Sequence, residues 1–395
     1  MTEFNHPDDA LRELAQNLAV TDIEPSAPLT GRVLAEAVHA DRDSPAIDVS
    51  AMDGYAIRLQ DLRLPKVPVT GEAQPGQPPV KLIEGTACRI FTGAAVPVGA
   101  EAVVMREDTD ESAREFVSWR ARAQQTTSGA NIRFQGENGK SGDLILSPGT
   151  LLSAANIAAA ANFGASHVSL HRCVRVTIIV TGNELLDASV TPEPWQLRDS
   201  NGPTIAGVCA AHRWIECKPP TRCEDNATRL STMLQTALDD SDAIILTGGV
   251  SKGDYDHVPG VIESLGAKTI FHRLPIRPGR PILGAVSTKG QLILGLPGNP
   301  VSAAVGMVRF GIPLLSKQSG NSSWIPNPRT VTVTGLTEKL LPLHWYRLVK
   351  ANGSDSAELL DSRGSGDLVA LSHSTGFIHQ PPNTTGPGPW EYFEW

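Results

Sequence analysis

Apolar and polar positions along this chain follow two different periods. Over residues 8–18 the apolar Leu11, Leu14 and Leu18 recur at helical spacing behind Asp8 and Asp9, either of which can cap, so a helix is predicted there. A second short helix is predicted over 31–38. From residue 46 to about 117 the texture changes. Short β-rich runs at 67–69, 88–91 and 102–105 are separated by Pro and Gly turns, the pattern of a small β domain. Between 144 and 168 a turn, an Ala-rich helix and a stop at Gly164 follow. That stretch can pack with the N-terminal helices, which makes the β domain an insertion into a discontinuous first domain.

Beyond residue 173 the two periods alternate. Strand VRVTIIV (174–180) is followed by a Thr-Gly loop, a helix from about Pro203, a strand near 214–217 and a helix over 226–238. A buried strand AIILT (243–247), a helix near 258–265, strands at 269–271, 282–285 and 292–295, and a helix from Pro300 to about Leu314 complete the run. Strands alternating with helices imply βαβ units and a mostly parallel sheet. The runs 330–334, 345–349, 368–370 and 377–379 read as strands of a small all-β tail. The expected fold is therefore a multidomain α/β chain. It has a central three-layer α/β/α domain (173–320), an inserted small β domain (46–127), a discontinuous helical or linker domain (1–45 with 128–172) and a C-terminal small β-barrel-like domain (321–395). There is no internal repeat and no low-complexity segment.

Composition narrows the function. The chain has 395 residues, long for a single core, and 41% of them are hydrophobic. With 34 basic and 42 acidic residues the net charge is −8, so no global basic field draws nucleic acid or anionic lipid. Any anion must be held by a local pocket. The five cysteines (88, 173, 209, 217, 223) contain no C-x-x-C pair, which argues against a disulfide framework or structural zinc. The acidic start MTEFNHPDDALRELAQ lacks the apolar core of a signal peptide, and the longest apolar stretch, 151–165, is too short to span a bilayer. The expectation is a cytoplasmic protein with no membrane and no nucleic-acid partner.

In an open parallel sheet, ligands bind beyond the carboxyl ends of the strands. Thr181-Gly-Asn-Glu184, Asp225, Gly248-Gly249-Val250-Ser251 with Gly253 and Asp256, and Pro297-Gly298-Asn299 all follow strands and should meet at one edge. Paired glycines let backbone N–H groups approach a phosphate, although a GG pair can equally be a tight turn. Asp225 and Asp256 can be helix caps or ligands, and Glu184 has no helix to cap. Arg277 and Arg280 bracket a stiff Pro-Gly turn in LPIRPGRP, which is either a solvated basic turn or a fork pair for an oxyanion. Carboxylates beside a basic clamp point to a metal-bridged phosphate or similar anion, with Mg²⁺ the expected metal. No P-loop, H-E-x-x-H or G-x-S-x-G motif is present. Met52-Asp53-Gly-Tyr-Ala56 reads by itself as a turn.

Taken together, SAMDGYAI (50–57), RIFTGAAVPVGAEAVVMRED (89–108), GANIRFQGEN (129–138), TGNEL (181–185), DSN (199–201), TGGVSKGDYDHV (247–258), LPIRPGRP (274–281) and GLPGNPVSA (295–303) resemble the molybdopterin molybdenumtransferases, the family that includes the E domain of gephyrin. The resemblance spans nearly the whole chain. It implies an elongated homodimer that consumes adenylylated molybdopterin and molybdate, inserts the metal at the dithiolene and releases AMP with Mg²⁺. The molybdopterin adenylyltransferase is then a possible partner. The resemblance implies catalytic roles for Asp53, Glu184, Asp225 and Asp256, the last three also as metal ligands. Substrate contacts would come from Thr92, Thr181, Ser200, Asn201, Gly248, Gly249, Val250, Ser251, Gly253, Pro297, Gly298 and Asn299. Arg277, Arg280, Pro281, Ser302, Arg347 and Ser365 would receive molybdate. Two departures stand out. The family's K-P-G-K-P has arginines at 277 and 280 here, and the acid of its G-E-D is Asn138, a change expected to bear on the dimer. An adenylyltransferase-like activity, a tungstate-inserting paralogue and a non-enzymatic scaffold are the alternative readings.

Overall fold

A computed structural model describes residues 3–113, 115–251, 256–336 and 339–395. Gly253 lies outside the described residues. The chain divides into two compact units, Met1–Glu36 with Pro148–Ile157 and His167–Trp395, and Ala37–Ser147 with Ala158–Ser166.

The smaller unit is organised around a six-stranded mixed sheet. Its strands run in the order Ala102–Met105, Gly54–Ile57, Ala87–Ile90, Lys66–Ala73, Phe116–Trp119 and Thr109–Ala113. Both faces of this sheet are covered. Tyr55 and Ile57 enter one apolar cluster with Val67, Val104 and Val117, while Ala56 between them enters another with Leu82, Cys88 and Ile90. That two-residue alternation makes the run GYAI a strand.

In the larger unit the central sheet is ordered Ile215–Cys217, Val174–Thr181, Ala243–Thr247, Leu292–Leu296, Leu283–Val286, Lys268–His272. The first four are parallel, and Leu283–Val286 runs against both of its neighbours. Every residue of Ala243–Thr247 is buried, because apolar side chains pack on both sides. Ile178, Val180, Ile245 and Leu294 face Ile205 and Cys209 of the helix Asn201–Ala210, together with Phe310 and Leu314. Ile179, Ile244, Leu246 and Ile293 face Leu230 and Leu234 of Ala227–Asp240 and Ile262 of Val258–Ser264.

Five C-terminal strands close on themselves in the order His344–Ala351, Ser356–Leu359, Thr330–Thr334, Trp390–Glu394, Gly376–Gln380, with the last pairing back to the first. Val331, Val333, Val349, Ala357, Ile378 and Tyr392 fill this barrel. A two-residue strand from the α/β segment, Ile276–Arg277, pairs with the start of His344–Ala351. The architecture is thus multidomain α/β with a small closed barrel in the C-terminal region.

Three expectations about elements need correction. Residues 31–38 are not helical: Val33 and Leu34 bridge to Leu151 and Leu170, and Val38–His39 is a strand. Non-local pairing overrides a short helical pattern there. Residues 368–370 open a helix, Leu368–His373, because the Asp367 carboxylate caps it by accepting from Ala370 N at 3.0 Å. The helix after Pro300 is interrupted by a π-turn at Met307–Gly311 before continuing over Ile312–Gln318.

Candidate functional site

Three strand ends on the parallel side of the central sheet are stitched together by one polar lattice. Asn201, only 7% exposed, donates through Nδ2 to Thr247 Oγ1 (2.9 Å) and to Gly298 O (2.8 Å). The Thr247 hydroxyl donates to Pro297 O at 3.1 Å, and the Thr181 hydroxyl donates to Thr247 O at 3.4 Å. Gly248 N donates to Leu296 O at 3.1 Å. Asn201 Oδ1 is buried with no partner, leaving one acceptor of the lattice unused.

The paired glycines are required by the backbone. Gly248 and Gly249 have φ of 88° and 62°, and a Cβ on Gly248 would stand 2.5 Å from Thr181 O. Behind them Val250 is buried, and its carbonyl accepts from His272 Nε2 at 2.7 Å. Ser251 is half-buried. Ser200 stands at the start of the helix Asn201–Ala210 without capping it through its side chain.

Asp225 is not a helix cap: Asn226 caps Ala227–Asp240 by accepting from Arg229 N at 2.9 Å. Asp225 Oδ2 instead accepts from Asn183 N (3.2 Å), and Asn183 Oδ1 accepts from Asp225 N (3.0 Å). A short strand, Thr221–Cys223, delivers Asp225 to this position beside the end of Val174–Thr181. His257, not Asp256, precedes Val258–Ser264 at the cap position. Glu184 is exposed and its carboxylate lies over Gly182, where a Cβ would come 2.9 Å from Oε2. Thr181, Asp225, Gly249 and His257 line one small niche between these loops. Among the described residues no group of three or more His, Cys, Asp or Glu side chains is arranged to hold a metal alone. Asp225 lines that niche while Glu184 and Asp256 are not among its lining residues, and carboxylate oxygens are the donor type that suits Mg²⁺ when phosphate and water complete its coordination.

The second part is a cleft of about 810 Å³ lined by Arg277, Arg280, Pro281, Ser302, Arg347 and Ser365, among others. All six residues expected on the oxyanion side come together. The turn that carries the first three is fixed by Leu274 N to Arg280 O and Ile282 N to Gly279 O, each 3.0 Å. Ser302 is 3% exposed in the first turn of Pro300–Gly306, and Val301 N donates to Ser365 O at 3.0 Å. Burial pulls the Arg347 guanidinium below its usual pKa, and Arg347 Nη1 is buried without a partner. Pro297 and Asn299 also line this cleft, so the loop that carries them adjoins both parts. Sequence reasoning passed over Trp345, which lines the cleft two residues before Arg347; same-face spacing on a strand was the available signal.

Asp53 and Thr92 belong to the smaller unit and pair with each other. Asp53 Oδ1 accepts from Thr92 N and from Thr92 Oγ1, both at 2.8 Å, and these bonds hold its carboxyl below the usual range.

Comparison with known proteins gives this geometry a context. Residues 6–164 match the family described as "MoeA N-terminal region (domain I and II)", and 177–317 match the "Probable molybdopterin binding domain". A molybdopterin molybdenumtransferase of Staphylococcus epidermidis is 32% identical over 366 residues, which is 90% of this chain and 86% of that protein. The chain belongs to the molybdopterin molybdenumtransferase family. A molybdopterin molybdenumtransferase of Nostoc sp. is 36% identical over 307 residues, 75% of this chain and 69% of its own length. The molybdopterin biosynthesis MoeA protein of Pyrococcus horikosii superposes with a TM-score of 0.76 at 26% identity, covering 98% of this chain and 97% of its own. Among the described residues of this molybdenumtransferase-family chain, no helix is long and apolar enough to cross a membrane.

Proposed function

We propose that the protein is a molybdopterin molybdenumtransferase, inserting molybdenum into molybdopterin in molybdenum cofactor synthesis, with adenylylated molybdopterin and molybdate as substrates and AMP as a product. The observation that carries this reading is the shared loop Pro297–Gly298–Asn299, which joins a glycine-lined anion cradle to a cleft of three arginines. Two anions can then be held side by side, a pyrophosphate against the cradle and a tetrahedral oxyanion in the cleft.

The residues act by position and charge. Backbone N–H groups of Gly249 and Ser251 receive the phosphates where Gly248 turns the chain, and Gly298 and Asn299 close the other wall. Thr181, Ser200 and Asn201 add hydroxyl and amide contacts, with Asn201 Oδ1 still able to accept from the substrate. Glu184, Asp225 and Asp256 are the oxygen donors for Mg²⁺, which when bound would neutralise phosphate charge and ease departure of AMP. Arg277, Arg280 and Arg347 with Ser302, Pro281 and Ser365 hold molybdate near the dithiolene. No covalent bond to the protein is needed, and electrostatic preorganisation supplies the rate enhancement. Asp53, fixed by Thr92, serves the same reaction. The working form is a homodimer in the cytoplasm, supplied by the adenylyltransferase that makes its substrate.

The test is incubation of the purified protein with adenylylated molybdopterin while molybdate or tungstate is titrated and AMP is followed. Molybdate-dependent AMP release is expected. Inertness with both oxyanions overturns the assignment, and release with tungstate alone reassigns the metal.

A further inference from the structure

Arg277, Arg280 and Arg347 place three permanent positive charges on one cleft that Asp361 also lines, yet none of the three forms an ion pair with Asp361 or any other described residue. Guanidinium groups without counter-ions repel one another and tend to spread into solvent. Two of these three are held by an aromatic face instead. The guanidinium carbon of Arg347 lies 4.1 Å from the centre of the Trp345 ring, and that of Arg277 lies 5.5 Å from it. Backbone register brings them there. Ile276–Arg277 pairs with the barrel strand so that Arg277 stands opposite Trp345, and Arg347 follows two residues later on the same side. Trp345 is half-buried, and one Arg347 nitrogen is buried with no partner.

We propose that Trp345 is a positioning residue that orients Arg277 and Arg347 toward a tetrahedral oxyanion, taking the place that a carboxylate would otherwise fill. A carboxylate could orient the same forks, but it would cancel their charge and repel an incoming dianion. The ring quadrupole attracts a cation and leaves its charge intact. The arginine at position 277 of the Pro-Gly turn suits this arrangement, since a planar guanidinium stacks on indole where a compact, strongly hydrated ammonium does so less well. Arg277 and Trp345 are accordingly one device, so Arg277→Lys and Trp345 substitutions should not be additive. The inference rests on reading the cleft as the oxyanion part of the site.

The test uses the full chain, with calorimetric titration of molybdate alone, sulfate as competitor, and the AMP-release assay. Trp345→Leu is expected to weaken molybdate binding about tenfold and to raise KM for molybdate in proportion, with kcat changing less. Trp345→Phe should restore most of the affinity. The Arg277→Lys/Trp345→Leu cycle tests whether the two act as one device, and the expected result is a combined loss smaller than the product of the two. Unchanged molybdate affinity in a folded Trp345→Leu protein, or purely multiplicative losses in the cycle, overturns the proposal. Failure of the underlying reading looks different: the unmodified protein would bind no molybdate and Arg347→Ala would change nothing. Affinity lost in Arg347→Ala but kept in Trp345→Leu removes only the positioning role.

Discussion

At the residue scale the decisive fact is which side chains are spared structural duty. An aspartate before a helix ordinarily caps it, and that reading competed for both Asp225 and Asp256. Asn226 takes the cap of its helix, so Asp225 keeps its charge available while trading hydrogen bonds with Asn183. Asp225→Asn retains an oxygen for Asn183 N and removes only the charge. Turnover measured by AMP release should fall on the order of 100-fold, while the thermal midpoint stays within about 2 °C. An Asp225→Asn protein with ordinary turnover would take Asp225 out of the donor set.

At the element scale, what could be read from the sequence depended on whether the determining contacts were local. The buried strand 243–247, the helices after it and the glycine pair announce themselves, because periodicity and φ preference act within a few residues. The bridges that hold Val33 and Leu34 extended come from Leu151 and Leu170, more than a hundred positions away, and nothing local records them. Likewise the six oxyanion-side residues come from four separate segments, and resemblance rather than pattern grouped them. Arg347 and Ser365 in particular have undistinctive neighbours, and only the barrel strand and the start of Pro300–Gly306 bring them to one cleft. The glycine loop can be tested as an element. Gly248→Ala puts a methyl against the Thr181 carbonyl at a positive φ, and it should destabilise the chain by about 2–3 kcal/mol in urea unfolding. Stability equal to the parent would mean that the loop is free to relax and is not a rigid cradle.

At the scale of the larger unit, the barrel is tied to the rest by a polar network built around buried His344. His344, 3% exposed, is hydrogen-bonded to His379 (2.8 Å), which bonds Glu391 (2.9 Å), while His6 stacks edge-on against His344. Arg309 pairs with Asp8 of the first helix close by, its guanidinium lying over the Phe310 and Phe393 rings. Burial, then the neighbouring His379, push the His344 pKa from 6.5 down to about 4. The folded chain therefore holds this ring neutral where the unfolded chain would protonate it. The stability it contributes is complete above pH 6.5 and drains away as pH falls toward 4, by up to about 3 kcal/mol at roughly 1.4 kcal/mol per pH unit. Glu391, held low by its hydrogen bond from His379, and Asp8, where Arg309 outweighs the opposing effect of burial, add to the loss at still lower pH. Thermal midpoints between pH 7.5 and 4.5 should show this slope, and His344→Gln should flatten it. A midpoint independent of pH across that range would contradict the neutral, buried ring.

The two-residue strand Ile276–Arg277 has a consequence for how this chain can be divided. Its residues sit in the α/β stretch of the sequence, yet its hydrogen bonds are spent on the barrel. The natural cut near residue 320 would separate partners that share one sheet. A fragment ended there would carry Gly248, Gly249 and Asp225 but would lose Trp345 and Arg347, along with the strand that fixes Arg277. On the proposed function, such a fragment should still recognise the nucleotide-bearing pterin while being blind to molybdate.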